Sequence, residues 1–346
     1  MFFHVQKLIN EIVPDEPDPA AANALQEGLG GQFGEMRTMM QYMFQSFNAR
    51  GKATPYKDLI QGVSVEEISH VELIATTINF LLDGSPRYRG TDPAEGGPVP
   101  GAGGSTPLER GLAAPNMHHF IVAPQCALPV DAAGNPWLGS YVYASGNLVL
   151  DLLYNLMLES TGRLQKCRIY EMSSNKTLRA TVSFLIARDH AHEMAFAKAL
   201  ETLGVNWGKV LPIPNFDATK YPEVKRLMDD GVHLKQHHFR LDGSEMSAIF
   251  QGIAPSGQDD ELLETTEEAP EGFPIQDLPE RPEEFAPGLT PELMELVIAA
   301  AEMAAPAGNG NSSTRRGGDG HGMGIGGGSR TTKSRSSGST RKKSGQ

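Results

Sequence analysis

Glu67 and His70 lie on one helical stripe with Val63, Val71, Ile74, Ile78 and Leu81 when the chain is projected at about 3.6 residues per turn. A carboxylate and an imidazole on a buried face are unfavourable unless something pairs with them. Glu-x-x-His on a core-facing helix is also the unit from which helical bundles build two-metal sites. Alone the pattern carries little, because four-residue patterns recur by chance. Three other stretches repeat its logic. Glu35 shares a face with Ala24, Gly28, Gly31, Met39 and Tyr42. Glu159 shares a stripe with Leu148, Leu152 and Leu156. Asp189 and His192 share one with Val182, Leu185, Ile186, Phe196 and Leu200. His190 projects about 100° away from Asp189, so His192 is the better ligand candidate.

Each piece also has a plain structural reading. Glu35 could bend out to solvent, and Glu159 could pair with Arg163 one turn later. Ser64-Val65-Glu66-Glu67 reads as a capping box, which would give Glu67 a structural role. A lone His on an apolar face is most often a satisfied core residue. The metal reading rests on agreement across four helices. Buried carboxylates repel one another without cations, and two divalent ions remove that repulsion. Oxygen and nitrogen donors without thiolates suit manganese or iron. Asp189 is one methylene shorter than the glutamate usual in such units, which leaves three carboxylates and two imidazoles as ligands.

The elements that must carry these residues are four long helices. The spacing predicts helix 1 over 20–48. Helix 2 runs from the Thr54-Pro55 start to Leu82, because Pro suits the first helical position. Helix 3 spans 146–172, and helix 4 spans 175–204 with Gly204 as its cap. Residues 84–116 are rich in Gly and Pro and form a crossover too long to be a mere connection. Phe120-Ile121-Val122 and Tyr141-Val142-Tyr143 are β-tending, with a turn at Gly134-Asn135-Pro136 between them, while His118 and His119 read as surface or packing residues. The fold class is therefore an all-α core, a ferritin-like four-helix bundle whose crossover contains short β pieces.

The bundle occupies 1–204. Residues 205–306 form an extended arm that begins at Leu211-Pro212-Ile213-Pro214 and ends in a short helix over 290–305. His233, His237 and His238 lie in a polar stretch without ligand spacing, and 259–284 reads as solvated acidic loop. Residues 307–346 are Gly, Ser, Arg and Lys, and read as disordered.

The chain has 346 residues and a net charge of −12, spread unevenly. The stretch 313–346 carries +7, so the rest carries −19. That body disfavours nucleic acid, and any contact with nucleic acid or an anionic surface falls to the tail. Cys126 and Cys167 make no disulfide framework, and neither a signal peptide nor a membrane span is visible. The chain reads as cytoplasmic, with no membrane partner.

Longer motifs resemble a known family, the manganese catalases. They are Gly30-Gly31-Gln32-Phe33-Gly34-Glu35-Met36, Tyr42-Met43-Phe44-Gln45-Ser46-Phe47-Asn48, Glu66-Glu67-Ile68-Ser69-His70-Val71-Glu72-Leu73, Ser145-Gly146-Asn147-Leu148, Arg168-Ile169-Tyr170-Glu171-Met172 and Leu211-Pro212-Ile213-Pro214. The resemblance covers about residues 1–300 and implies two manganese ions per subunit. Glu35 and His70 would hold one, Glu159 and His192 the other, and Glu67 would bridge them. Tyr42 resembles an outer hydrogen-bond donor to the cluster; Asp189, too short to ligate, is read from its own position as an acid/base group. Some members carry an outer Arg–Glu pair. Leu158 and Asp189 stand in that neighbourhood here, so the pair looks absent. Some bind calcium between subunits. Asp58 matches such a site, but Gly62 lacks a side-chain oxygen, which counts against calcium.

The resemblance further implies a homo-hexamer and hydrogen peroxide as substrate, disproportionated to dioxygen and water in oxidative-stress defence. The rival readings are a ferritin-like diiron oxidase, which a fourth ligating carboxylate would favour, and a non-enzymatic spore-coat or metal-storage relative, which a lost ligand would favour.

Overall fold

In the computed structural model, which describes residues 4–82, 126–205, 217–255 and 261–275 together with Glu295 and Ala299, the first helix begins at Asp18-Pro19. The Asp18 carboxylate accepts from the Ala21 N–H at 2.9 Å, and proline opens α1 (Pro19–Gly30). The single helix predicted over 20–48 is broken here, and α2 (Glu35–Ser46) starts afresh after four residues. Glycine is the reason. A Cβ on Gly30 would stand 2.3 Å from the Val130 carbonyl oxygen, and one on Gly34 would stand 2.7 Å from the Gly28 carbonyl oxygen. The crossover chain presses against the end of α1, so α2 leaves along a new start. Glu35 thereby becomes the first residue of a helix rather than a mid-helix residue.

Helix α3 (Thr54–Leu82) runs unbroken. Ser64 sits inside it and donates to the Met39 carbonyl at 2.8 Å, so no capping box forms there. The Asn147 side chain caps α4 (Leu148–Met172) by accepting from the Leu150 N–H, and Asn175 caps α5 (Lys176–Thr202) through Leu178 in the same way. Gly204 then takes φ +74°, a left-handed conformation that ends the run.

Two apolar clusters hold these helices. One gathers Leu25, Leu29, Leu73, Ile74, Ile78, Leu178, Val182 and Leu185. The other gathers Tyr42, Leu59, Val63, Leu152, Leu156, Phe196, Leu200 and Phe250. Along each of α3, α4 and α5 the ionisable residues fall between the two sets, so a polar layer lies between two apolar ones. The order of the sets along the chain also gives direction. Helices α3 and α4 both run from the second cluster to the first, and two consecutive helices that run parallel need a long crossover. This is the ferritin-like bundle.

The described part of that crossover, 126–147, is tied to the bundle by polar groups. Gln26 Nε2 donates to the Val130 carbonyl at 2.8 Å. Gln41, Asn155 and Gln45 form an amide chain that closes on the backbone of Tyr143. The predicted turn is present, with a single bridge between Val130 and Pro136 and Gly134 at φ +83°. Tyr141-Val142-Tyr143 forms no strand, because Tyr141 closes a 3-10 turn. Phe120–Val122, His118, His119 and 211–214 lie outside the described residues.

After α5 come α6 (Pro222–Asp229) and a small sheet of β1 (Lys235–His237), β2 (Gly252–Ile253) and β3 (Leu262–Thr266). The order is β1-β3-β2, with β1 parallel and β2 antiparallel to β3. Part of the acidic stretch predicted as loop is thus strand, anchored by buried Leu263. The chain divides into two units, Met1–Gly288 and Leu289–Gln346. Of the second, Glu295 and Ala299 are described, and both are helical. The tail 307–346 lies outside the described residues. Among the described residues no helix is long and apolar enough to cross a membrane.

Candidate metal centre

Four helices converge on the polar layer. Glu35 opens α2; Glu67 and His70 lie one turn apart on α3; Glu159 is on α4; Asp189 and His192 are on α5. All are at most 2% exposed. Glu35, Glu67 and His70 each offer a ligand atom, and these lie within 4.8 Å of one another. Glu67, Glu159 and His192 do the same. Glu67 therefore belongs to both sets, and it divides its oxygens between them. Its Oε2 is 2.8 Å from His70 Nδ1, and its Oε1 is 3.0 Å from His192 Nδ1. Glu35 Oε1 is 3.9 Å from His70 Nδ1, and Glu159 Oε1 is 3.6 Å from His192 Nδ1. The two imidazoles stack with centroids 5.6 Å apart, both turning Nδ1 toward the same carboxylate.

The electrostatics of this layer favour cations. Burial, with Glu67 next to it, raises the Glu35 carboxyl to about 8. Burial likewise raises Glu159 to about 7. Burial works against the Glu67 charge as well, yet His70 and His192 hold its pKa below the usual range. Burial would also depress His70, but Glu67 and Glu66 lift it to about 10. Protons thus stand in for positive charge. Glu67 Oε1 and His192 Nδ1 are buried and make no aligned hydrogen bond despite their closeness. Such orphaned donor atoms, converging from carboxylates and neutral-capable imidazoles, fit two hard or borderline divalent ions.

Further side chains surround the sets. Tyr42 donates to Glu159 Oε1 at 2.5 Å, and Thr38 donates to Glu35 Oε2 at 3.2 Å. Arg163 does not pair with Glu159; its Nε lies 3.0 Å from Glu193 Oε2. His190 also turns away, to Glu193 at 2.9 Å and to a stack on buried His233. Asp189 has a cationic partner, which the sequence reading did not provide. Lys166, two turns beyond Leu158 on α4, reaches Asp189 Oδ2 at 2.7 Å and Glu35 Oε1 at 2.8 Å. Lys166 lies seven residues after Glu159 and eighteen after Leu148, so it shares their helical stripe, and that phase was the signal that could have found it.

Glu66 was also missed. It projects off the stripe of its own helix, but Arg188 of α5 draws it in, with Nε to Oε1 at 2.5 Å and Nη2 to Oε2 at 3.0 Å.

The family described as manganese containing catalase matches residues 1–306. The chain belongs to that family. Among curated relatives, a manganese catalase of Bacillus subtilis is 43% identical over 212 residues, covering 61% of this chain and 74% of that one. A manganese catalase of Lactiplantibacillus plantarum is 35% identical over 233 residues, 67% of this chain and 84% of that one. Among solved structures, KatB, a manganese catalase from Anabaena, is 24% identical with a TM-score of 0.48, covering 71% of this chain and 94% of that one.

Asp58, the residue of the calcium reading, is engaged within the chain. Asp58 is buried, with Oδ1 accepting from Arg240 Nη1 at 2.9 Å and Oδ2 from the Glu245 N–H at 2.8 Å. A Cβ at Gly62 would stand 2.6 Å from Met246 Cε, so a side chain bringing a further oxygen has no room without displacing Met246. A guanidinium already balances the carboxylate.

Proposed function

We propose that the chain is a dimanganese catalase in which Glu35 and His70 hold one manganese, Glu159 and His192 hold the other, and Glu67 bridges them. The observation that carries this reading is the division of Glu67 between two histidines, one oxygen toward each Nδ1. When bound, the two ions supply a store for two electrons, so that one hydrogen peroxide is oxidised to dioxygen and two protons while a second takes those electrons and protons to give two waters. The chain's own residues hold the ions, orient the carboxylates and keep protons close. Tyr42 fixes Glu159 through its hydroxyl. Asp189, hydrogen-bonded to Lys166 beside Glu35, is suited to accept a proton and return it. A diiron oxidase would need Asp189 as a fourth ligating carboxylate, and Asp189 belongs to neither converging set of ligand atoms.

Assembly as a homo-hexamer is part of this reading. It is supported by apolar side chains left open on and just after α2 and on α4, among them Phe44, Phe47, Leu150 and Met157. The described part of 205–306 is not an extended arm but packs on the chain's own bundle through Val224, Gln236 and Phe250, so wrapping of a neighbouring subunit would fall to the rest of that segment. Cys126 and Cys167, which form no disulfide, are consistent with the cytoplasm.

Purified protein assayed for manganese and iron per chain, and for dioxygen release from peroxide, tests the function. Two manganese per chain with dioxygen release is expected; iron loading without dioxygen release would sink it. His192→Ala should lose manganese and activity together, whereas His190→Ala should keep both. The reverse result would move the ligand to His190.

A further inference from the structure

Behind the two histidines lies a second carboxylate, on the side away from Glu67. Glu66 Oε1 is 3.6 Å from His70 Nε2, and Glu66 Oε2 is 3.4 Å from His192 Nε2. Among the described residues no other carboxylate comes within 4.0 Å of either Nε2. The imidazoles are thus flanked by two carboxylates from adjacent positions of α3. Glu67 faces Nδ1 of both rings, and Glu66 faces Nε2 of both. A metal-ligating imidazole needs its other nitrogen protonated and directed at an acceptor, because that contact sets both tautomer and ring angle. Glu66 is the acceptor available to both rings at once.

Glu66 does not hold itself there. Arg188 grips both of its oxygens. Gln236, on β1 and 170 residues further along the chain, donates from Nε2 to Glu66 Oε2 at 2.8 Å and accepts at Oε1 from Arg188 Nη2 at 3.1 Å. Arg188 Nη1 also donates to the carbonyls of Val232 and Lys235 on the same segment. Gln236 is 1% exposed and Arg188 is 3% exposed. One amide therefore closes a triangle with a carboxylate and a guanidinium, and its donor goes to the oxygen that faces His192.

We infer that Gln236 is a positioning residue for the metal centre, acting through Glu66 on the Nε2 atoms of His70 and His192, so that the segment after α5 sets the geometry of ligands on α3 and α5. The inference rests on the ligand set proposed above. A merely structural Gln236 would pin β1 to α5 and affect stability alone. A positioning Gln236 also affects how tightly the imidazoles hold metal.

The test uses full-length protein loaded with manganese and then exposed to excess chelator, with retained manganese followed over time and the visible absorption of the oxidised form recorded. Gln236→Met keeps the volume and removes both hydrogen bonds. Gln236→Glu keeps an acceptor for Arg188 and loses the donor to Glu66, which gives a second variant should the first fold poorly. Each should lose manganese at least about tenfold faster than the parent, the lower end of what outer hydrogen-bond partners of metal ligands contribute, and shift the absorption bands. Glu66→Gln should do likewise. Adding Gln236→Met to Glu66→Gln should then add little, because both act along one route.

Unchanged manganese release in folded Gln236 variants would overturn the inference. So would full additivity with Glu66→Gln. Either result leaves the catalase reading intact, whereas a parent protein that binds no manganese would defeat that reading first.

Discussion

Lys166 brings a positive charge directly against Glu35 and Asp189 in the polar layer. Burial alone would depress its pKa, yet Asp189 and Glu35 hold it well above the usual lysine range. It therefore serves as an internal counter-ion for two buried acids. Lys166→Met would leave Glu35 and Asp189 without it. Removing one partner of a buried ion pair destabilises by about 3–5 kcal/mol. The metal-free variant should show a correspondingly lower urea midpoint, and manganese loading should restore part of the loss by supplying cations. An unchanged midpoint would mean that the pair of acids needs no counter-ion. Glu67 and His70 could be read from their helical phase, since a lone helix projection reports which side chains share a face. Lys166 is in phase with Glu159 and could have been read the same way, whereas Glu66 could not, because it projects off its own stripe and is recruited by Arg188 of another helix.

Helices α3, α4 and α5 follow from apolar spacing and from the end signals Thr54-Pro55 and Gly204, while the Asn147 and Asn175 caps emerge in the structure. The break between α1 and α2 does not. Its cause is the Val130 backbone, about a hundred residues away, which comes too close to Gly30 for any side chain. The break matters for the site because it puts Glu35 at a helix start, where the free N–H groups favour a carboxylate. Gly30→Ala should force the crossover chain off α1. Overpacking of this kind typically destabilises by about 1–3 kcal/mol, and thermal unfolding of the folded variant should report it. The same displacement should lower manganese content, because α2 and its Glu35 would shift as well. Normal manganese content in a destabilised Gly30→Ala protein would separate the two effects and show that Glu35 is positioned independently of the break.

The bundle as a whole carries a polar layer that only cations or protons can balance, and this links its stability to pH. Glu35 is raised from 4.5 to about 8 by burial and Glu67, and Glu159 from 4.5 to about 7 by burial. Across those intervals the folded metal-free chain keeps protons that the unfolded chain has released, so stability falls as pH rises. His70, raised from 6.5 to about 10, acts in the same direction. Its contribution is complete below 6.5 and is lost as pH rises through about 10. The metal-free protein should therefore melt at a lower temperature at about pH 8.5 than at about pH 6. Manganese competes with these same protons, so the rise in Tm on loading should grow over that interval. Melting curves with and without manganese check both, and a gain that shrank with pH would contradict the assignment of these groups as ligands.

Apart from the break between α1 and α2, the sequence alone determines the long helices, which of their faces are buried, and which ligand carboxylates and imidazoles those faces carry, because helical period is a local property. Motifs along the chain were enough to indicate the family. The tertiary structure decides what balances and orients those residues. Lys166 beside Asp189, Arg188 and Gln236 around Glu66, Arg240 on Asp58, and Val130 against Gly30 all join positions distant in the chain. Such pairings depend on how helices cross and where loops return, and no single helix's pattern encodes them.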